Sequence, residues 1–367
     1  MKILHIINSL EIAGAERLMT SLLPLMGEQG HQVELLVLNR KRTPFYEQLQ
    51  EKGIVIHTLH YSQGKYNPLV IFELKRYLRQ YDIIHVHLFP AQYWVAICKW
   101  LFRIKVPLVT TEHNTTNTRF NYKLTTWTDR WIYRRYACII CISDAVNQAM
   151  TQRVLGQVPT LTINNGIDID LFATAKPLSH SDFSIPDSAY ILMQVARFQQ
   201  QKNQDCVIRA LKRLPENVYA IFVGDGERMA SCKSLAQKVG VADRIRFLGL
   251  REDIPQLWAS ADIAVMSSHW EGFGLSILEA MAAGIPVVAT QVEGLSQVVG
   301  NDELCFPDDD DAQLAVLVQR LIHDNGFRQQ MAAYCRNQAS QFSIRKMADS
   351  YMEKYKHILL ECKKERI

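Results

Sequence analysis

What this sequence lacks narrows it first. No uninterrupted apolar run approaches the ~20 residues that a membrane span requires, although 48% of the 367 residues are hydrophobic. The N-terminus, MKILHIINS, reads as a strand leading into a helix, without the charged segment and long apolar segment of a secretory leader. Neither sign of charge dominates: 41 Lys and Arg against 37 Asp and Glu leave a formal net charge of +4. That permits an anionic partner, but no domain is flooded with cations, which argues against nucleic acid. The eight cysteines are scattered, with Cys98, Cys138, Cys141 and Cys206 in apolar periodic segments. This suits reduced, core-filling thiols rather than a disulfide framework. Cys138 and Cys141 have the spacing of a metal or redox pair, yet no second pair accompanies them and they lie in the strand-like run ACIICIS. These absences leave a soluble cytoplasmic protein, or one peripheral on the inner face of the cytoplasmic membrane.

What the chain does have is alternation. Short β-rich runs (KILHIINS, QVELLVLN, IVIHTLH, IIHVHLF, PLVTTEH, ACIICIS, TLTINN) are separated by helical stretches such as ERLMTSLLPLMGEQG and VAICKWLFR. Apolar strands between helices imply a parallel sheet covered on both faces. The pattern pauses between Ile163 and Ser188, where an Asn-Gly turn, two prolines and small polar residues read as an interdomain linker. It restarts with YILMQVAR, VYAIFVGDG, RIRFLG, DIAVMSS, IPVVAT and ELCFP, and closes with three helical segments after Pro307. The expectation is an α/β chain of two doubly wound, Rossmann-like domains, residues 1–170 and 171–344, with the last helix, about 345–367, able to pack back on the first. Two such domains facing one another make a cleft, and ligands of such sheets bind outside the carboxyl ends of the strands.

Four loops at those ends carry chemistry. In LEIAGAERLM, Gly14 opens a helix after the first strand; it is either a plain tight turn or a place where backbone N–H groups approach phosphate. In QVARFQQQKN, Arg197 leaves a strand and Lys202 follows five residues on. They are either solvated cations or a diphosphate clamp, each charged hydrogen bond being worth on the order of 1.5–3 kcal/mol. In WEGFGLSILEAMAAG, Gly272, Phe273 and Gly274 end a loop, and a helix from about Leu275 to Gly284 aims the N–H groups of Gly274, Leu275 and Ser276 at an anion. Glu279, four residues past Leu275, can accept hydrogen bonds from a ribose diol, or pair within its helix. Glu271, across the turn, can meet a second hydroxylated group or simply be solvated. Last, Gly224-Asp225-Gly226 and Gly249-Leu250-Arg251 end two more strands and could wall a base. The first fails as a dinucleotide fingerprint because Met229 stands where the third glycine belongs.

Together these residues resemble the retaining glycosyltransferase family 4 (glycosyl transferases group 1), which has the GT-B fold of two facing Rossmann-like domains. The most specific mark is a pair of glutamates eight residues apart, Glu271 and Glu279, set in EGFGLSILEAMAAGIPVVAT; AGAER, DIIHVHL, TTEHN and NNGID support it. The resemblance implies a nucleoside-diphosphate sugar donor (UDP- or GDP-sugar) and a glycan or lipid-linked acceptor hydroxyl, in bacterial surface polysaccharide synthesis. It implies that Arg197 and Lys202 hold the diphosphate leaving group, Glu279 the ribose, and Glu271 the transferred sugar. Backbone amides of Phe273, Gly274 and Leu275 lie near sugar and phosphate, and Gly14 approaches the diphosphate. His113 stands beside the reacting sugar, and Leu250 and the Gly224 loop contact the base. No metal or other cofactor is expected. Where the family has a paired glycine, this chain has Ala13-Gly14, and Ala196 precedes Arg197; both substitutes are small.

Other features stay open. Asp308 to Asp311 read as the acidic start of the helix DAQLAVLVQRLI rather than as metal ligands. His85 and His87 share one strand face, as cleft lining or packing. Trp127, Arg130, Trp131, Arg134 and Arg135 sit at helical spacing, either docking an anionic membrane or packing on the sheet with arginines in solvent. A catalytically silent nucleotide-sugar or glycan-binding subunit, and a GT-B-fold epimerase or phosphorylase, are the alternatives to a transferase.

Overall fold

The computed structural model describes residues 1–11, 14–60, 66–113 and 123–364. The chain divides into two compact units, Met1–Gly166 with the closing helix from Ile344, and Ile167–Ser343.

The first unit alternates β1 (Lys2–Ile7), α1 (Gly14–Glu28), β2 (Gln32–Val37), α2 (Pro44–Glu51), β3 (Val55–Thr58), α3 (Val70–Tyr77), β4 (Ile83–His87), α4 (Ala91–Leu101), β5 (Leu108–Glu112), α5 (Lys123–Tyr133), β6 (Cys138–Cys141), α6 (Asp144–Val154) and β7 (Thr160–Thr162). Its seven strands lie in the order β3-β2-β1-β4-β5-β6-β7, every pair parallel. Strands β4, β5 and β6 are buried along their whole length, as covering both faces of a parallel sheet requires.

The second unit runs α7 (Ile169–Ala173), β8 (Tyr190–Val195), α8 (Gln204–Leu211), β9 (Val218–Val223), α9 (Met229–Val239), β10 (Ile245–Gly249), α10 (Ile254–Ala259), β11 (Ile263–Met266), α11 (Leu275–Ala282), β12 (Val287–Thr290), α12 (Glu293–Val299), β13 (Cys305–Phe306), α13 (Asp311–His323) and α14 (Asn325–Ala339). Its six strands are ordered β10-β9-β8-β11-β12-β13. In each sheet the order reverses beside the unit's first strand, between β1 and β4 and between β8 and β11. Loops leaving those strands part there and expose a crevice for ligand.

The closing helix, α15 (Ile344–Lys364), packs on the first unit. Ile344, Met347, Ala348, Tyr351, Met352, Tyr355 and Ile358 are buried, a three-and-four spacing that makes one apolar stripe. They join the core formed with α1, α2 and the strands beneath. Two of its tyrosines reach the sheet: Tyr355 Oη meets His85 Nδ1, and Tyr351 Oη lies 3.1 Å from Thr111 Oγ1, itself 2.7 Å from His85 Nε2.

The stretch expected to be a linker is corrected by the structure. Residues 167–188 are packed into the second unit: Asp168 caps α7, and Phe172, Phe183 and Ile185 are buried. Prolines and serines suggested a spacer, but these buried apolar side chains, with Ile167, anchor the segment.

Candidate active site

In the second unit, the loops after β8 and β11 are stitched together by polar side chains. Gln194, buried near the end of β8, donates from Nε2 to the carbonyl of Lys202 at 3.0 Å and contacts Ser267 Oγ at 3.2 Å. Ser267, just past β11, has its Oγ 2.8 Å from the Asn203 carbonyl and 3.0 Å from that of Lys202. The His269 amide donates to the Gln201 carbonyl at 2.9 Å, and Gln201 Nε2 to the Trp270 carbonyl at 2.7 Å. Asn203, held in the left-handed region (φ 45°), caps α8 with its side chain, ending the turn so that Lys202 projects at the strand ends.

The consequence is a contact across 69 positions of sequence: Lys202 Nζ donates to Glu271 Oε2. Both side chains are mostly enclosed, at 17% and 15% exposure. Arg197 stands exposed at the same strand end, its carbonyl fixed by Gln204 Nε2 at 2.9 Å. Gly274 takes the left-handed conformation (φ 87°) as the residue before α11, and the first N–H groups of that helix have no acceptor within it. Ser276 Oγ donates to the Val195 carbonyl at 2.7 Å, so the start of α11 is pinned to the end of β8. Glu279 is one helical turn beyond Ser276 and 4% exposed. A carboxylate is buried for its hydrogen bonds or not at all. This end of the sheet thus offers two cations and a helix N-terminus for a polyanion, with carboxylates on either side for hydroxyls.

Gly294, at the start of α12, belongs to the site but carries no signal in the sequence beyond being a glycine after a strand. A Cβ there would lie 2.1 Å from the Glu271 carbonyl oxygen; its absence lets α12 close on the loop that presents Glu271.

The structure adds packing roles to several of the expected residues. A Cβ at Gly224 (φ 131°) would come 2.1 Å from the Ala196 carbonyl oxygen, and one at Gly226 2.4 Å from that of Phe198. The Gly224 amide already donates to the Gly249 carbonyl at 2.8 Å. These glycines seat the loop carrying Arg197, so Gly224 lets two strand-end loops approach closely. Replacing Gly224 by alanine is therefore expected to cost about 3 kcal/mol or more, whereas Gly30→Ala, left-handed but in open space, should cost about 1–2 kcal/mol; urea midpoints compare the two. Leu250 is 62% exposed beside these loops. Phe273 is buried against Phe342, ring centroids 5.5 Å apart, so only its backbone, with that of Gly272, Gly274 and Leu275, can face a ligand. Among the four aspartates, Asp310 caps α13 and Asp311 is its first residue, as expected. Asp308 and Asp309 instead turn back, to His269 Nδ1 at 2.8 Å and to Asn203 Nδ2 at 2.9 Å, bracing the site loops.

In the first unit, His113 follows β5. Its ring is partly exposed, but Nε2 is enclosed and meets no hydrogen-bond partner among the described residues. Burial lowers its pKa to about 4, so it is neutral at physiological pH. His85 and His87 are joined by His5 of β1, which sequence spacing did not bring to them; strand pairing does. His5 Nδ1 lies 3.0 Å from His87 Nε2, and all three rings are fully buried. Gly14 is exposed as the first residue of α1; Ala13 and Asn114 lie outside the described residues.

The family model described as "Glycosyl transferases group 1" matches residues 176–338, and "Glycosyltransferase Family 4" matches residues 12–171. The chain belongs to this glycosyltransferase family. It has the GT-B fold and is an enzyme of the glycosyl-transferring class. Lipopolysaccharide core biosynthesis glycosyltransferase LpsD of Rhizobium meliloti is 26% identical over 96% of this chain and 97% of its own. N-acetyl-alpha-D-glucosaminyl L-malate synthase of Bacillus anthracis is 25% identical over 97% of both. HepE of Anabaena, solved with UDP and glucose, is 26% identical with a TM-score of 0.82, covering 97% of this chain and all of that one. No helix among the described residues is long and apolar enough to cross a membrane.

Proposed function

We propose that this glycosyltransferase moves a sugar from UDP-sugar, with GDP-sugar as the competing donor, to a hydroxyl of a glycan or lipid-linked acceptor in surface polysaccharide synthesis. The observation that carries the donor site is the Lys202–Glu271 contact beside Arg197 and the start of α11. A sugar diphosphate placed there exchanges that contact for two better-matched ones: Lys202 and Arg197 to the diphosphate, Glu271 to sugar hydroxyls. Glu279 takes the ribose diol, and the backbone of Phe273, Gly274 and Leu275 takes the phosphate and sugar oxygens. UDP is favoured over GDP because a relative of similar length throughout, HepE, was solved with UDP and with UDP-glucose.

Breaking the anomeric C–O bond builds positive charge on the sugar and negative charge on the departing phosphate. Fixed cations at that phosphate stabilise the transition state more than the ground state, so the reading requires no metal ion. Retention of anomeric configuration, by front-face attack of the acceptor hydroxyl, is proposed from the family resemblance, as are the roles of Gly14 at the diphosphate and of neutral His113 at the sugar.

Thermal unfolding with UDP, GDP, ADP, NAD and EDTA tests the donor. UDP at 100 times its dissociation constant adds about 2.7 kcal/mol, a shift of roughly 5–10 °C for a unit of this size. The expected result is stabilisation by UDP above the others, unchanged by EDTA. Silence toward every diphosphate overturns the donor site; loss of the UDP shift in EDTA overturns its metal-free character.

A further inference from the structure

The acidic run Asp308 to Asp311 is longer than its helix needs. Asp310 caps α13 and Asp311 opens it, which leaves Asp308 and Asp309 without a part in the helix. Their side chains are 45% and 57% exposed, so neither fills the core. Each instead meets a residue beside one member of the Lys202–Glu271 pair. Asp309 Oδ1 accepts from Asn203 Nδ2 at 2.9 Å, and Asn203 directly follows Lys202. Asp308 meets His269 Nδ1 with Oδ1 at 2.8 Å and Oδ2 at 3.0 Å, and His269 stands two residues before Glu271. One loop after the edge strand β13 thus reaches the loops after β8 and β11, across 106 and 39 positions of sequence.

The loop is itself anchored on α8. Arg209 donates to Asp309 Oδ1 at 2.6 Å and to Asp311 Oδ1 at 3.3 Å, and Arg213 to Asp311 Oδ2 at 2.8 Å. The backbone is strained where the loops meet. Asp309 (φ 60°) and Asn203 (φ 45°) are both left-handed without being glycine, and they are bonded to each other. Asn and Asp tolerate this region better than most side chains but remain strained relative to glycine. What they supply there is the side-chain bond itself, and strain held in this way gathers at working sites. The carbonyls of Lys202 and Asn203 are already taken by Gln194 and Ser267, so Asp309 fixes the remaining, side-chain end of the turn.

We propose that Asp308 and Asp309 are positioning residues for sugar transfer, setting Lys202 and Glu271 at the spacing the reaction needs. The proposal rests on the donor reading of that pair; neither aspartate touches the donor. The effect falls on rate more than on affinity. A loosened lysine still finds a bound diphosphate, but a cation that meets charge as it develops must already be in place.

The test is UDP release from UDP-glucose, with calorimetric UDP titration, for the full chain carrying Asp309→Gly, Asp308→Ala or both. Asp309→Gly removes the side chain and relieves the left-handed strain, so Tm is expected within about 2 °C of the parent or above it. Over the same change kcat should fall about tenfold, and UDP affinity by less than about threefold. A merely structural residue would move stability and turnover together. Asp309→Asn, which keeps an acceptor for Asn203, should hold turnover to within about twofold of the parent. The sharpest comparison is in Lys202→Met: with the positioned group gone, Asp309→Gly should slow turnover no further. An equal loss in both backgrounds, or parent turnover in the double aspartate variant, overturns the proposal and leaves the donor reading intact. Lys202→Met turning over at the parent rate removes the donor reading, and this proposal with it.

Discussion

Replacing Lys202 by methionine is expected to slow sugar transfer by about 100-fold or more while the protein stays folded. Methionine keeps the length and apolar stem but removes the charge. One charge-assisted hydrogen bond to phosphate is worth roughly 1.5–3 kcal/mol, so UDP affinity should fall about tenfold to 100-fold. Transfer falls further, because the bond strengthens as charge develops on the leaving phosphate. The stability cost comes from Glu271, which loses its cation at 15% exposure. With the crevice open to water on one side, about 1–2 kcal/mol is expected, less than for a fully buried pair. Glu271→Gln in the same background should restore that stability without restoring turnover. Calorimetric UDP titration, together with UDP release from UDP-glucose, separates binding from chemistry. A Lys202→Met enzyme turning over at the parent rate would sink the leaving-group assignment.

That contact also shows where the sequence was legible and where it was not. All thirteen strands among the described residues stand where the β-rich runs place them, because a strand buried on both faces must be apolar along its length. Lys202 and Glu271 could each be named from local motifs, but not as partners. Their contact depends on Gln194, Ser267 and Gln201, ordinary polar residues whose value arises only when two loops 69 residues apart are brought together. Gly294 was silent for the same reason: its lack of a side chain matters to a carbonyl on another loop. The residues around Phe172 and Phe183 misled in the opposite sense, since local turn chemistry outweighed two aromatics that only the packed unit accounts for. The short helices α2 and α3 have eight residues each, too few for periodicity to declare them.

The histidines at β1 and β4 give the second large expectation, a steep loss of stability in mild acid. His5, His85 and His87 are wholly buried, and burial is the leading cause that lowers each pKa: His5 to about 3, the other two well below the ordinary range, with mutual repulsion among the rings adding to the effect. In the unfolded chain each titrates near 6.5. Between that value and the lowered one, the unfolded state binds protons that the folded state refuses, so stability rises with pH across this window and is lost as pH falls. Each group alone accounts for roughly 2 kcal/mol between pH 7 and pH 5, about 6 kcal/mol for the three, a large part of a typical domain's margin; His113 of the same unit, lowered by burial to about 4, adds a similar amount. Lowered carboxylates such as Asp309, held down first by its hydrogen bond from Asn203, begin to titrate only nearer pH 4 and leave this window clear. Urea unfolding of the first unit at a series of pH values reads the slope directly. His87→Asn should flatten it by about one quarter, whatever it does to stability at pH 7. A first unit equally stable at pH 7 and pH 5 would mean that the rings accept protons inside the fold, and the buried neutral cluster would have to be abandoned.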